Sequence, residues 1–252
     1  MNAKKILVGG IFLVLIIGTG VSAHAKECSL SQIKFDALLS ANDSQNYFQK
    51  LQKELAARKE LISIVVGCAI EEAATLKARI DTSDNTETKD TRAKISNLLG
   101  NAAEYYKLQL EKVPDLGIEG SRYFSKDLLV WRQGNYAPIA KTASNFIVWS
   151  ENQNLFRTAK NRLDQISGAV TILKVIENES VQKKWVEINE LFKNALTENQ
   201  NAKEGLQNFD PPEKTLASIK LSLESLSSTY KMLSTLVEEI NALTSKIHQS
   251  PS

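Results

Sequence analysis

"DPPEKTLASIKLSLESLSSTYKMLSTLVEEINALTSKI", residues 210–247, decides the fold. Leu216, Ile219, Leu223, Leu226, Tyr230, Leu233, Val237 and Ile240 advance by alternating steps of three and four, and Ile247 continues the series after one polar member, Thr244. A stripe of that period, flanked by Ser, Thr, Lys and Glu, is the seam of a long helix that packs against other helices. At 1.5 Å per residue the helix would be about 55 Å long. Asp210 reads as its N-cap, Pro211 and Pro212 suit its first turn, and Glu213 stands at N3. So narrow an apolar stripe must be covered. Antiparallel neighbours from the same chain are the expected partners, because the connectors elsewhere are short; a second copy is the alternative.

Upstream, the chain has the same style. Leu, Ala, Lys, Glu, Gln, Asn and Ser dominate, and Gly and Pro cluster at a few places. The pattern predicts helices over about 30–40, from Asp43 or Ser44 to about Ile80, and over about 88–113, 121–133, 138–176 and 180–208. Between them lie the polar loop "DTSDNTETKD", the connector "PDLGIEG", the break "GNYAP" and the cap-rich "ENES". No β-type alternation persists and no repeat of fixed period occurs. The fold class expected is all-α: an elongated antiparallel bundle of about five or six helices with coiled-coil-like packing, spanning 26–252, with a sub-boundary near 114–120.

Between Ser121 and Phe156 the chain carries Tyr123, Phe124, Trp131, Tyr136, Phe146, Trp149 and Phe156. Most of them fit a core. Trp149, Phe156, Leu163 and Val170 recur every seven residues, and Phe124, Leu128 and Trp131 share one face. A second column, Ile139 and Phe146, turns polar at Gln153, Lys160 and Ser167. What packing leaves over is the corner "WRQGNYAP", 131–138. There Trp131, Arg132, Asn135 and Tyr136 meet a helix break, with Gln153 as a polar member of the following helix. Trp, Tyr and Arg anchor interfaces, and loops at breaks carry binding, so these five are the candidates for contacting a partner or ligand.

The first 25 residues read as an address. Lys4 and Lys5 precede an uncharged apolar run, Ile6–Val21, and Ala23-His24-Ala25 has the A-x-A form read by signal peptidase. The run is shorter than the roughly 20 residues of a comfortable membrane span. Cleavage after Ala25 is the expectation, and an uncleaved N-terminal anchor is the one route to a membrane. Lys26 and Glu27 before Cys28 do not suit a lipidation site. Export fits the cysteines: Cys28 and Cys68 are the only two, an even count in an oxidising compartment. A disulfide between them would close a loop of about 40 residues and contribute roughly 4 kcal/mol.

Several chemistries have no equipment here. Without residues 1–25, 29 basic residues face 29 acidic ones, and a neutral, mixed surface lacks the footprint of a nucleic-acid binder. His24 and His248 are the only histidines, so His-based triads and His-rich metal sites are not expected, and neither is a cofactor. No phosphate-binding glycine loop, dinucleotide motif or calcium loop occurs. Glu71/Glu72, Glu187/Glu190 and Glu238/Glu239 read as solvated flanks of helices. The most apolar internal run, Leu61–Ile70, is too short to span a bilayer and reads as buried helix.

"CS" near the mature start, "RKELISIVVGCAIEEA" and "WRQGNYAPIAKTASNFIVWSENQNLFRTAKNRL" together resemble exported helical proteins of reduced-genome bacteria whose activity is not known. The resemblance implies export and a helical fold, and no functional residues. The functional expectation is a non-enzymatic, exported interaction protein of the cell envelope or exterior, a spacer or adaptor with a protein partner or a second copy. The alternative is a helical ligand-binding or sensory module with its cleft at the "WRQGNYAP" corner.

Overall fold

The structure, a computed structural model, describes residues 47–83, 86–172 and 175–249. The expected signal segment, the expected helix at 30–40, the expected caps Asp43 and Ser44, and Cys28 lie outside the described residues. Within them the chain is all-α, with six helices and no strand. These are α1 (Tyr47–Asp81), α2 (Lys89–Lys112), α3 (Ile118–Trp131), α4 (Ala137–Ile172), α5 (Glu179–Asn208) and α6 (Pro212–Gln249). Short 3-10 turns occupy Thr86–Thr88, Val113–Asp115 and Val175–Glu177, and a π turn occupies Arg132–Tyr136.

The chain divides into two compact units. Among the described residues the first comprises 47–82 and 92–140, and the second comprises 83–91 and the chain from Lys141 onward. The division therefore falls inside α4 and around the α1–α2 loop, not near 114–120. The 113–115 turn stays with the first unit for a visible reason: Val113 is buried, and Lys59 Nζ donates to the Pro114 carbonyl at 2.6 Å. The loop "DTSDNTETKD" is more than a solvated connector. Ser83 and Ser150 share a hydrogen bond at 2.7 Å, Glu87 pairs with Lys203, and Thr88 and Thr91 are buried.

In the first unit, Ile62, Val66, Ala69, Ala73 and Ile80 form the buried stripe of α1, and Ile95, Leu99, Ala102 and Tyr106 form that of α2. Both follow helical spacing. In the second, Phe156, Leu163 and Val170 of α4 meet Val181, Ile188 and Ala195 of α5 and Leu226, Leu233 and Ile240 of α6. Trp149 is buried too, so the seven-residue column read from Trp149 to Val170 is core throughout. Asn178 begins α5 by accepting the backbone N–H groups of Ser180 and Val181 on its side chain, an ordinary N-cap.

The seam of α6 differs from the sequence reading by one column. Ile219, Leu226, Leu233 and Ile240 are buried as expected, but the column alternating with them is Thr215, Ser222, Thr229 and Leu236. The expected Leu216, Leu223 and Tyr230 are half-buried, and Val237 is exposed. Leu223 and Tyr230 flank the core, and the Tyr230 hydroxyl donates to the Leu155 carbonyl of α4 at 3.1 Å. A helix covered by two neighbours needs a stripe wider than a two-column seam. The hydroxyls are buried at little cost because they bond within their own helix. Ser222 Oγ donates to the Ile219 carbonyl at 2.7 Å, and Thr229 Oγ1 to that of Ser225 at 2.9 Å.

Small residues also let α5 and α6 approach closely. A Cβ placed on Gly205 would lie 2.7 Å from Thr215 Oγ1, so any larger residue here must displace the Thr215 hydroxyl. The turn between the two helices is equally tight. Phe209 takes the left-handed conformation (φ 56°), and the Asp210 N–H returns to the Gly205 carbonyl at 2.9 Å. The first backbone bonds of α6, from Lys214 and Thr215, go to the Pro211 carbonyl, and the Asp210 carboxylate holds Lys214 Nζ at 2.8 Å.

Candidate functional site

The "WRQGNYAP" corner is not a break. The chain passes from α3 to α4 without leaving helical angles, through one π turn. Trp131 and Ala137 on either side of it both have right-handed helical backbone. Pro138 explains the widening: it has no N–H to give and its ring would clash with the carbonyl four residues back. Opening the turn shifts the ladder, so that the Ala137 N–H reaches the Arg132 carbonyl five residues back. Asn135 Nδ2 supplies a side-chain donor to the Trp131 carbonyl at 3.2 Å. Asn135, with Gln133 and Gly134, is exposed, whereas Trp131 and Arg132 are half-buried and Tyr136 is completely buried.

Beneath the turn lies a cluster of rings and charges drawn from α1, α2, the end of α3 and the π turn itself. Trp131 stacks on Tyr105 of α2, with centroids 3.7 Å apart and planes within 12°. Tyr106 meets Trp131 and Tyr136 edge-on, at 5.2 and 5.5 Å. Arg132 Nη2 donates to Glu72 Oε2 of α1 at 2.9 Å, Nη1 reaches the Tyr106 hydroxyl at 3.5 Å, and the guanidinium lies 4.9 Å from the centre of the Tyr136 ring. The cluster thus ties α1, α2 and the π turn of the first unit together. It is filled with side chains. Glu72, expected as a solvated flank, is instead half-buried and bonded to Arg132.

The electrostatics follow from burial. Loss of water pushes the Tyr136 phenol far above its ordinary range, the Glu72 charge pushes it further, and Arg132 opposes both. Burial also raises Tyr106, again opposed by Arg132. Tyr105 is raised by burial and then by the charge of Asp127. On Arg132 burial works against the charge, but Glu72 outweighs it and the guanidinium is held more firmly protonated than usual. Glu72 Oε1 and the Tyr136 hydroxyl are buried, and neither has a hydrogen-bond partner of normal geometry, although the carboxylate is near enough to act on the phenol.

Gln153 does not belong to this cluster. It lies in the second unit, where it exchanges two amide hydrogen bonds of 3.1 Å with Asn199 of α5 and donates to the Trp149 carbonyl at 2.7 Å. Trp149 Nε1 donates to the Asn199 carbonyl at 3.3 Å, so Gln153 and Trp149 together clamp α4 to α5 at Asn199, while Lys160 and Ser167 of the polar column are exposed. Of the five candidate residues, then, the structure brings together Trp131, Arg132 and Tyr136, leaves Asn135 on the exposed side of the π turn and places Gln153 elsewhere. It adds Glu72, Tyr105 and Tyr106, which are remote in sequence and carry no motif. The adjacent tyrosines at 105 and 106 were the one signal available.

Cys68 is half-buried on α1, and its expected partner Cys28 lies outside the described residues. Among the described residues no three His, Cys, Asp or Glu side chains converge as metal ligands, and no helix is long and apolar enough to cross a membrane. No family model, curated protein or solved structure matches the chain.

Proposed function

We propose that this chain is an exported, non-enzymatic interaction protein, a spacer or adaptor of the cell envelope or exterior that works by presenting helical faces to a protein partner or a second copy. The observation that carries the reading is on α3. Tyr123 and Val130, one heptad apart on the same face, are 68% and 60% exposed. Large apolar side chains in that arrangement cost solubility and suit a helix-to-helix contact. The rings and charges of the corner, by contrast, are engaged with one another. Export rests on the Lys4–Ala25 segment, and with it goes a disulfide between Cys28 and Cys68. The pairing is supported by the absence of any free thiol among the described residues.

The test is photo-crosslinking in the producing cell, with a reactive residue at position 123, at 130 and, as a control, at exposed Lys160. Defined adducts from the first two positions and not the third, in the extracytoplasmic fraction, are expected. Absence of adducts at 123 and 130, or fractionation with the cytoplasm, would remove the reading. The ligand-module alternative draws on one observation, the two buried oxygens of Glu72 and Tyr136 at the corner. A rise in melting temperature with small polar molecules, abolished by Tyr136→Phe, would favour it.

A further inference from the structure

Tyr123 and Val130 stand on the outer side of α3. The buried residues of this helix, Ser121 and Leu128, each lie two positions from one of them, about 200° around the helix. Lys126 and Asp127 come between the two apolar side chains in sequence, about 50° to either side of the line that joins them, and both are exposed. The nearby Arg122 and Glu119 hold each other at 2.7 Å, whereas Lys126 and Asp127 make no ion pair among the described residues. The face is thus an apolar line with a cation along one edge and an anion along the other.

We propose that this face pairs with the same face of a second copy, the two α3 helices running parallel about a two-fold axis. The inference rests on the reading of Tyr123 and Val130 as a docking surface, and it names what docks there. An axis along the helix direction sets each residue of the central line against its own equivalent, Tyr123 on Tyr123 and Val130 on Val130. It also sets each edge against the opposite edge of the other copy, so Lys126 meets Asp127 of the second copy, twice. Turned antiparallel, the same helices would bring Lys126 to Lys126 and Asp127 to Asp127, so the charges choose the direction. The rings and methyl groups supply the attraction; the ion pairs, exposed at the edges, mainly supply orientation. The contact is short. Helix α3 has 14 residues, about 21 Å, and the π turn after Trp131 shifts the helical phase and ends the line. A patch of this length buries less than the roughly 1,200 Å² of a standard interface and suits a pairing that forms and dissociates with concentration.

Sedimentation equilibrium of the mature chain over about 10 µM to 1 mM, the range in which a small interface associates, should show a mass rising toward two chains. Asp127→Lys and Lys126→Asp should each weaken the association about tenfold or more, because each puts like charges across both edges. The double variant Lys126→Asp/Asp127→Lys makes the edges complementary again and should return to within about threefold of the parent. A parent that stays monomeric, single variants that associate as the parent does, or a double variant no better than the singles would each overturn the pairing. A photo-reactive residue at position 123 separates the pairing from the reading beneath it. In a mixture of chains of natural and heavy isotope composition, cross-links that join light to heavy chains within residues 119–130 support the pairing. Adducts in the producing cell that join position 123 only to a different protein overturn the pairing and keep the docking surface. Absence of any adduct overturns both.

Discussion

The π-turn corner of the first unit and the α5–α6 seam of the second fill their interiors in opposite ways. The corner uses large rings around one half-buried ion pair, with Tyr136 completely enclosed and Glu72 holding Arg132. The seam uses small residues in seven-residue columns, with Ala195, Ala202 and Gly205 on α5 facing a helix whose own buried column includes Thr215, Ser222 and Thr229. At the corner the attraction is concentrated in a few named contacts, so removing Glu72 strands the Arg132 guanidinium. Along the seam the attraction is spread over many weak contacts, and the cost of a change follows the volume lost or added.

The largest effect expected is on the seam, and it tests the register of α6. Leu236→Ala should cost about 3 kcal/mol, because Leu236 is fully enclosed, whereas Val237→Ala should cost well under about 1 kcal/mol. Urea midpoints of the two variants decide the matter: equal or reversed costs would return the helix to the register read from sequence. Next comes the corner. Glu72→Ala should cost about 2 kcal/mol by leaving the Arg132 guanidinium unpaired, and the double variant Glu72→Met/Arg132→Met should regain at least half of that. A double-mutant cycle measures the coupling. Strict additivity would mean that the pair does not brace the corner.

A smaller contrast compares two glycines. Gly205→Ala should destabilise by about 1 kcal/mol, the clash with Thr215 outweighing the gain in helix propensity, and the loss should shrink in a Thr215→Ala background. Gly168 meets nothing within 4 Å of an added Cβ, so Gly168→Ala should stabilise by roughly 0.5–1 kcal/mol. Thermal melts of the three variants check the signs. The smallest effect is expected of Tyr136→Phe, within about 0.5 kcal/mol at neutral pH, because the hydroxyl removed has no hydrogen-bond partner. Its signature lies in alkali. The Tyr136 phenol is raised in the folded chain, so the parent keeps its full stability below the ordinary phenol range and loses it as pH climbs past about 10. The phenylalanine variant should show a shallower loss in a pH series of unfolding curves.

The helices were legible because their periodicity is. Lys89–Lys112, Glu179–Asn208 and Pro212–Gln249 fall within a residue or two of the spans that spacing and capping residues predict. So does the core column from Trp149 to Val170. The buried column of α6 was hidden because three of its four members are Thr and Ser, which read as surface. Burial is tolerable only once their hydroxyls bond the helix's own carbonyls and a neighbour comes close enough to need small side chains. The corner was half legible. Trp131, Arg132 and Tyr136 stood out by type, but "GNYAP" read as a stop because Gly and Pro break an α ladder, and a π turn is a way through that local propensity does not announce. Gln153 was drawn to the same site by its place in a polar column, whereas its amide is matched to Asn199.

By itself, then, the sequence determined the all-α class, the boundaries of α2, α5 and α6 and one shared column of the α6 seam, because these depend on spacing along a single chain. Tertiary structure decided which hydroxyls are buried, where the chain divides into units, and that Glu72, Tyr105 and Tyr106 complete the corner with Trp131, Arg132 and Tyr136. Those outcomes depend on which side chains meet across tens of residues. A helical period says which face is covered; it does not say by what.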